Sequence, residues 1–135
     1  MIKEKLLKIF KDVKVEYYEK TDVYKLKLPI YHYKPMSPEF IFYIEQKGEN
    51  YIVDDNGMTI RSLINNDALS DEFYEEIKHL AKVFRLEILN NGRLISEECE
   101  NLEALPYFVS YMIQFIAIVN YKAYGNELMH KELFE

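Results

Sequence analysis

From Ala104 to Tyr121 the chain carries no charged residue, although Asp, Glu, Lys and Arg make up 30% of the whole. A run of that length is barely enough to cross a bilayer, which takes about 20 apolar residues. Several features favour a buried helix instead. Pro106 stands near its start, and Ser110, Gln114 and Asn120 interrupt it. Its N-terminal flank is acidic (Glu97, Glu98, Glu100, Glu103) and only Lys122 and Lys131 follow, so no charge asymmetry marks a membrane topology. The segment is therefore expected as a core helix covered on several sides, with no membrane span. Pro106 suits its first turn, and Gly125 is expected to stop it near Tyr124. Whatever else the chain builds has to wrap this helix.

The remaining segments supply that wrapping. Ile2, Leu6, Ile9, Phe10 and Val13 recur at helical spacing with lysines opposite, which predicts an amphipathic helix over 2–12. Such a basic helix packs on a sheet with its lysines in water, or binds a membrane or an acidic partner. Val13, Val15 and Tyr17 alternate, as do Tyr24, Leu26 and Leu28, with the polar break Glu19–Asp22 between them: a hairpin. Pro29, Pro35 and Pro38 mark an extended connection. Phe40–Glu45 and Tyr51–Val53 form a second hairpin about Lys47-Gly48-Glu49-Asn50. Asp54-Asp55-Asn56-Gly57 is a strong turn signal, after which Met58–Ile64 reads as a strand or a short helix. Ser70 is a good N-cap for a helix to about Lys82, with Asp71 and Glu72 in its first turn. Phe84, Leu86 and Ile88 then alternate up to Asn91-Gly92, which predicts a hairpin with a type I′ turn, and Leu94 and Ile95 begin the return strand. Residues 126–135 would add a short terminal helix. The expectation is one α+β domain over 1–135. Antiparallel hairpins form a sheet packed against N-terminal, middle and long C-terminal helices.

Composition excludes several functional classes. The net charge of −6 and the scarcity of arginine (Arg61, Arg85, Arg93) disfavour direct nucleic-acid binding, which needs clustered cations. A single cysteine permits no internal disulfide and suits a reducing compartment, so a cytoplasmic location is expected. The N-terminus lacks the pattern of a signal peptide. Lysine outnumbers arginine, and isoleucine, tyrosine and asparagine are abundant, all of which follow AT-rich codons; a low-GC bacterium or its phage is the implied source. The acids are uneven, with ten acids against four bases over residues 65–103.

No constellation stands out as catalytic. Asp54 and Asp55 are adjacent carboxylates of the kind that hold Mg²⁺ or Ca²⁺. Successive strand residues face opposite ways, however, and Asp-Asn-Gly is a common turn. Glu45-Gln46-Lys47 has the E-x-K spacing of restriction-type nuclease cores, which would need an upstream acid such as Asp22. Glu76-Ile77-Lys78-His79 is one E-x-x-H element where a di-iron bundle needs two. Cys99 lies among Glu97, Glu98 and Glu100, which raise a thiol's pKa and oppose nucleophilic use. His32, His79 and His130 share no ligand spacing, and the four glycines stand alone, so no metal or cofactor is read.

Interaction candidates are clearer. Tyr31-His32-Tyr33 heads a chain with twelve tyrosines, the residue favoured at interface anchors, though tyrosine also fills half-buried strand positions. Asp71, Glu72, Glu75 and Glu76 head the acidic region, with Asp54 and Asp55 as further acidic candidates.

The segment Phe40-Ile41-Phe42-Tyr43-Ile44, then Tyr51-Ile52-Val53-Asp54-Asp55-Asn56-Gly57-Met58-Thr59-Ile60, then Leu63, resembles the bacterial domain of unknown function family 1828. A strand, a turn and a D-D-G-x-T motif leading to a leucine mark that family; here Asn56 is inserted before Gly57. The helix before Phe84, the Asn91-Gly92 hairpin and the closing Ala117-Ile118-Val119-Asn120 follow in the same order, over roughly residues 28–122. The resemblance implies a small bacterial protein, often carried by phage or mobile elements, with no established activity. The functional expectation is a non-enzymatic, cytoplasmic protein-binding or regulatory protein, one form being an inhibitor of a host nucleic-acid-binding protein through its acidic surface. The alternative is a metal-dependent nuclease or hydrolase using Asp54, Asp55, Glu45 and Lys47. A third reading is a homo-oligomeric structural protein, of which a homodimer is one form.

Overall fold

Alternation along the strands decides which face of the sheet is covered. The computed structural model describes residues 2–10, 13–31 and 39–134. Its strands are β1 (Lys14–Tyr18), β2 (Val23–Tyr31), β3 (Glu39–Lys47), β4 (Asn50–Asp54), β5 (Leu86–Ile88) and β6 (Leu94–Ser96). They form one antiparallel sheet in the order β1-β2-β3-β4-β6-β5. The register sets Val15 beside Leu26, Leu26 beside Phe42, Ile44 beside Val53 and Ile88 beside Leu94. All of these are buried on one face. Lys25, Tyr43, Glu45 and Asp54 alternate with them and face the other way.

Among the described residues there are four α-helices, α1 (Ile2–Ile9), α2 (Met58–Asn65), α3 (Asp71–Val83) and α4 (Leu105–Phe134), with a 3-10 turn at Leu102–Ala104 before the last. Each contributes buried side chains to the same apolar cluster: Leu6 from α1, Ile60 and Leu63 from α2, Ile77 and Ala81 from α3. α4 gives the most, with Leu105, Phe108, Val109, Met112, Phe115, Ile116 and Val119. The result is the expected α+β arrangement: an antiparallel sheet with helices on one face. α4 is long and apolar enough to cross a membrane by length and composition, with 44% of its apolar window buried in this core.

Local chemistry explains most boundaries. Ser70 caps α3 by accepting a hydrogen bond from the Phe73 amide at 3.1 Å, with Asp71 and Glu72 in the first turn. Met58–Asn65, left open between strand and helix by its sequence, is helical. β2 runs through Pro29 as far as Tyr31, farther than the proline suggests. Its register with β3 slips between Lys27 and Tyr31, an irregularity of the kind that accommodates a residue without an N–H. Phe84 is the C-cap of α3 rather than the start of a strand.

Two expectations are corrected. Asn91-Gly92 does not make a type I′ turn: Gly92 has φ of +87°, but Asn91 is not among the positive-φ residues. Gly92 donates to the Leu89 carbonyl at 2.9 Å and the Leu89 amide to Arg93 at 2.8 Å, so the loop is one residue longer and ends in a glycine bulge. The type I′ geometry occurs instead at Asn56-Gly57. Both have positive φ (56° and 79°), and the Met58 amide closes the turn onto the Asp55 carbonyl at 3.2 Å. Nor does Gly125 stop α4, which continues to Phe134. A glycine ends a helix by turning left-handed; Gly125 has no positive φ, and inside a helix it costs only about 1 kcal/mol.

Phe115 is fully buried at the centre of the core, whereas Val83 is 74% exposed. Phe115→Ala is expected to cost about 3–5 kcal/mol and Val83→Ala within about 0.5 kcal/mol, read from urea unfolding midpoints at constant slope.

Candidate functional site

Asp54 ends β4 and Asp55 follows it, and the two carboxylates part. Asp55 turns inward and is 2% exposed. It accepts from the amides of Gly57 at 2.7 Å, Thr59 at 3.0 Å and Leu94 at 2.9 Å. The first two amides open α2, so the carboxylate meets the positive end of that helix. The third belongs to β6, and the Asp55 amide donates back to the Leu94 carbonyl at 3.1 Å. Burial pushes the Asp55 carboxyl up from its ordinary range, and the amides pull it back.

Asp54 points to the face of the sheet opposite the core, yet is only 6% exposed. Its Oδ1 accepts from the Asn56 amide at 2.8 Å, and its Oδ2 takes the Arg93 guanidinium through Nε at 2.9 Å and through Nη2. The same Nη2 lies 3.5 Å from Glu45 Oε2, and Lys47 Nζ lies 3.4 Å from Glu45 Oε1. Arg93 thus sits between the carboxylates of β3 and β4. This guanidinium occupies the space that a metal shared by Glu45 and Asp54 would need, and Asp55 faces elsewhere. Among the described residues no group of three His, Cys, Asp or Glu is placed to hold a metal ion.

These side chains form one wall of an open groove of about 510 Å³, lined by Tyr18, Thr21, Val23, Tyr43, Glu45, Asp54, Asn56 and Arg93. The sequence singled out Asp54, Glu45 and Lys47 but missed Arg93, Tyr18 and Tyr43. The signal for Arg93 was its place just after the Asn91-Gly92 turn; what hid it was a separation of 39 residues from Asp54.

The other candidates are scattered. Tyr31 is the last residue of β2, paired with Glu39, while His32 and Tyr33 lie outside the described residues. Asp71, Glu72, Glu75 and Glu76 are all exposed along α3. Glu75 pairs with Lys78 at 2.8 Å and Glu76 with Lys122 at 2.7 Å; Asp71 and Glu72 have no ion pair among the described residues. Cys99 is buried and donates its thiol to the Asn101 carbonyl at 2.9 Å. Burial pushes its pKa up and Glu100 adds to the effect, so a thiolate is disfavoured.

Searches of protein-family models, of curated proteins and of solved structures find no match for this chain.

Asp55→Asn would set an NH₂ where an amide now donates and leave one acceptor oxygen for three donors. It is expected to destabilise the fold by about 1–3 kcal/mol, measured by chemical denaturation. Cys99 is expected to resist iodoacetamide at neutral pH in the native protein and to react fast in denaturant. Native-rate alkylation equal to that of a free thiol peptide would contradict its burial.

Proposed function

We propose that this chain acts by binding another protein, in a bacterial cytoplasm, and that it does so through the face of its sheet opposite the core. The observation that carries this reading is the composition of the open groove. Tyr18, Tyr43 and Arg93 belong to the residue types that dominate binding energy at interfaces, and Arg93 is held in place by Asp54 and Glu45. A side chain already fixed loses less entropy on binding than a free one. The carboxylates that would serve hydrolysis are engaged otherwise, by a guanidinium and by backbone amides, which supports binding over catalysis.

A second reading rests on α3. Its exposed row of Asp71, Glu72, Glu75 and Glu76 would suit a basic partner, such as a nucleic-acid-binding protein that the chain inhibits. Lys78 and Lys122 neutralise part of that row, which favours the groove. The resemblance to family 1828, with the phage or mobile-element origin it implies, belongs to this proposal.

Affinity capture from a native host tests both, with mass spectrometry comparing three baits. The native chain is expected to retain a protein that Tyr18→Ala with Tyr43→Ala loses at least about tenfold, each truncated anchor removing 1 kcal/mol or more. Reversal of Asp71 and Glu72 to lysine should leave retention unchanged. Loss on charge reversal alone would move the contact to α3, and equal capture by all three baits would reject both surfaces.

A further inference from the structure

The chain contains two Asn-Gly pairs, Asn56-Gly57 and Asn91-Gly92, and the fold holds them differently. Asparagine before glycine is the dipeptide most prone to cyclise. The backbone nitrogen that attacks the side-chain carbonyl carbon then has no neighbouring Cβ to shield it. Both asparagines are exposed, but Gly57 is buried and Gly92 only half-buried.

At the first pair the attacking nitrogen is locked. Gly57 donates to Asp55 Oδ1 at 2.7 Å, and that carboxylate is 2% exposed and also takes the amides of Thr59 and Leu94. Cyclisation needs the glycine nitrogen to lose its proton, and a buried carboxylate at hydrogen-bond distance opposes the negative charge that results. Freeing Gly57 also means opening the first turn of α2 together with the β4–β6 seam, a larger event than fraying a hairpin tip.

At the second pair the geometry favours attack. The Arg93 amide donates to Asn91 Oδ1 at 3.0 Å, closing a ring that contains both the Gly92 nitrogen and Asn91 Cγ. This hydrogen bond keeps the reacting atoms near each other and meets the oxygen on which negative charge develops. The Gly92 N–H donates to the neutral Leu89 carbonyl at 2.9 Å, at the tip of a hairpin whose strands are three residues each. Local opening releases it at little cost.

We propose that Asn91 is a site of spontaneous, irreversible modification, and that the Asp55 carboxylate protects Asn56 from the same chemistry. The Gly92 nitrogen bonds to Asn91 Cγ, the bond from Cγ to the side-chain nitrogen breaks, and that nitrogen leaves as ammonia with the proton the amide gives up. Water then opens the resulting succinimide at one carbonyl or the other, leaving aspartate or isoaspartate, with no oxidant or reductant involved. Isoaspartate also routes the main chain through the side-chain carboxyl and lengthens the loop by a methylene. Either product sets a carboxylate at residue 91, which lines one hollow with Arg61 and Arg93, and Arg93 lines the groove as well. The modification stands whether or not the groove binds a partner.

The native full chain, aged in mildly alkaline buffer, tests this by trypsin digestion and mass spectrometry. Cleavage after Lys47, Arg61, Arg85 and Arg93 places Asn56 in the peptide 48–61 and Asn91 in 86–93, with fragment ions locating the converted residue. Asn91 is expected to convert at least about tenfold faster than Asn56. In denaturant, where neither pair is held, the two rates should come together. Equal rates in the native chain, or faster conversion of Asn56, would overturn the proposal. So would a native chain that keeps Asn91 intact while the denatured chain loses it. A difference that persists unchanged in denaturant would assign it to local sequence and overturn the proposal as well.

Discussion

The Asp55 carboxylate ties together three parts of the chain: the end of β4, the start of α2 and the start of β6. It caps the start of α2 through Gly57 and Thr59, and it accepts from Leu94 where a backbone carbonyl would otherwise serve in the ladder. Between β4 and β6 the register is a single pair, Asp54 with Ile95, and beyond β6 the Tyr51 and Cys99 backbones exchange hydrogen bonds at 2.8 and 2.7 Å. Side chains make up the deficit. Asp55 binds Leu94, and Ser96 Oγ accepts from the Val53 amide at 2.9 Å while donating to the Glu97 carbonyl. This seam joins the four-stranded meander β1–β4 to the β5–β6 hairpin. A buried carboxylate is costly unless its oxygens are occupied, and three amides occupy them. The same seam brings Arg93 over Asp54, so the groove depends on the interaction that closes the sheet.

Sequence reading recovered what is local. The spacing in Phe40–Glu45 and Tyr51–Val53, the Ser70 cap and the proline of α4 each state a short-range preference that the fold keeps. Asp54-Asp55-Asn56-Gly57 was legible as a turn, and the Asn56 that departs from the family-like pattern is the first left-handed residue of that turn. Partners far along the chain were not legible. Nothing near Asp55 announces Leu94, and nothing near Asp54 announces Arg93. The two Asn-Gly pairs show the limit of local rules. The dipeptide permits positive φ at both residues, but Asn90 lengthens the second loop, and the strand twist is then matched by a bulge at Gly92. Gly125 shows the same limit, since a glycine ends a helix only where the chain also turns away.

Burial explains one side of the uncharged helix that dominates the sequence. Burial accounts for Phe108, Met112, Phe115 and Val119, which fill the space between the sheet and the other helices. It does not account for Tyr107, Gln114 and Tyr121, which lie in water. An exposed tyrosine taken alone needs no explanation. An uncharged row spanning four turns is different, because each polar substitution there would be almost free.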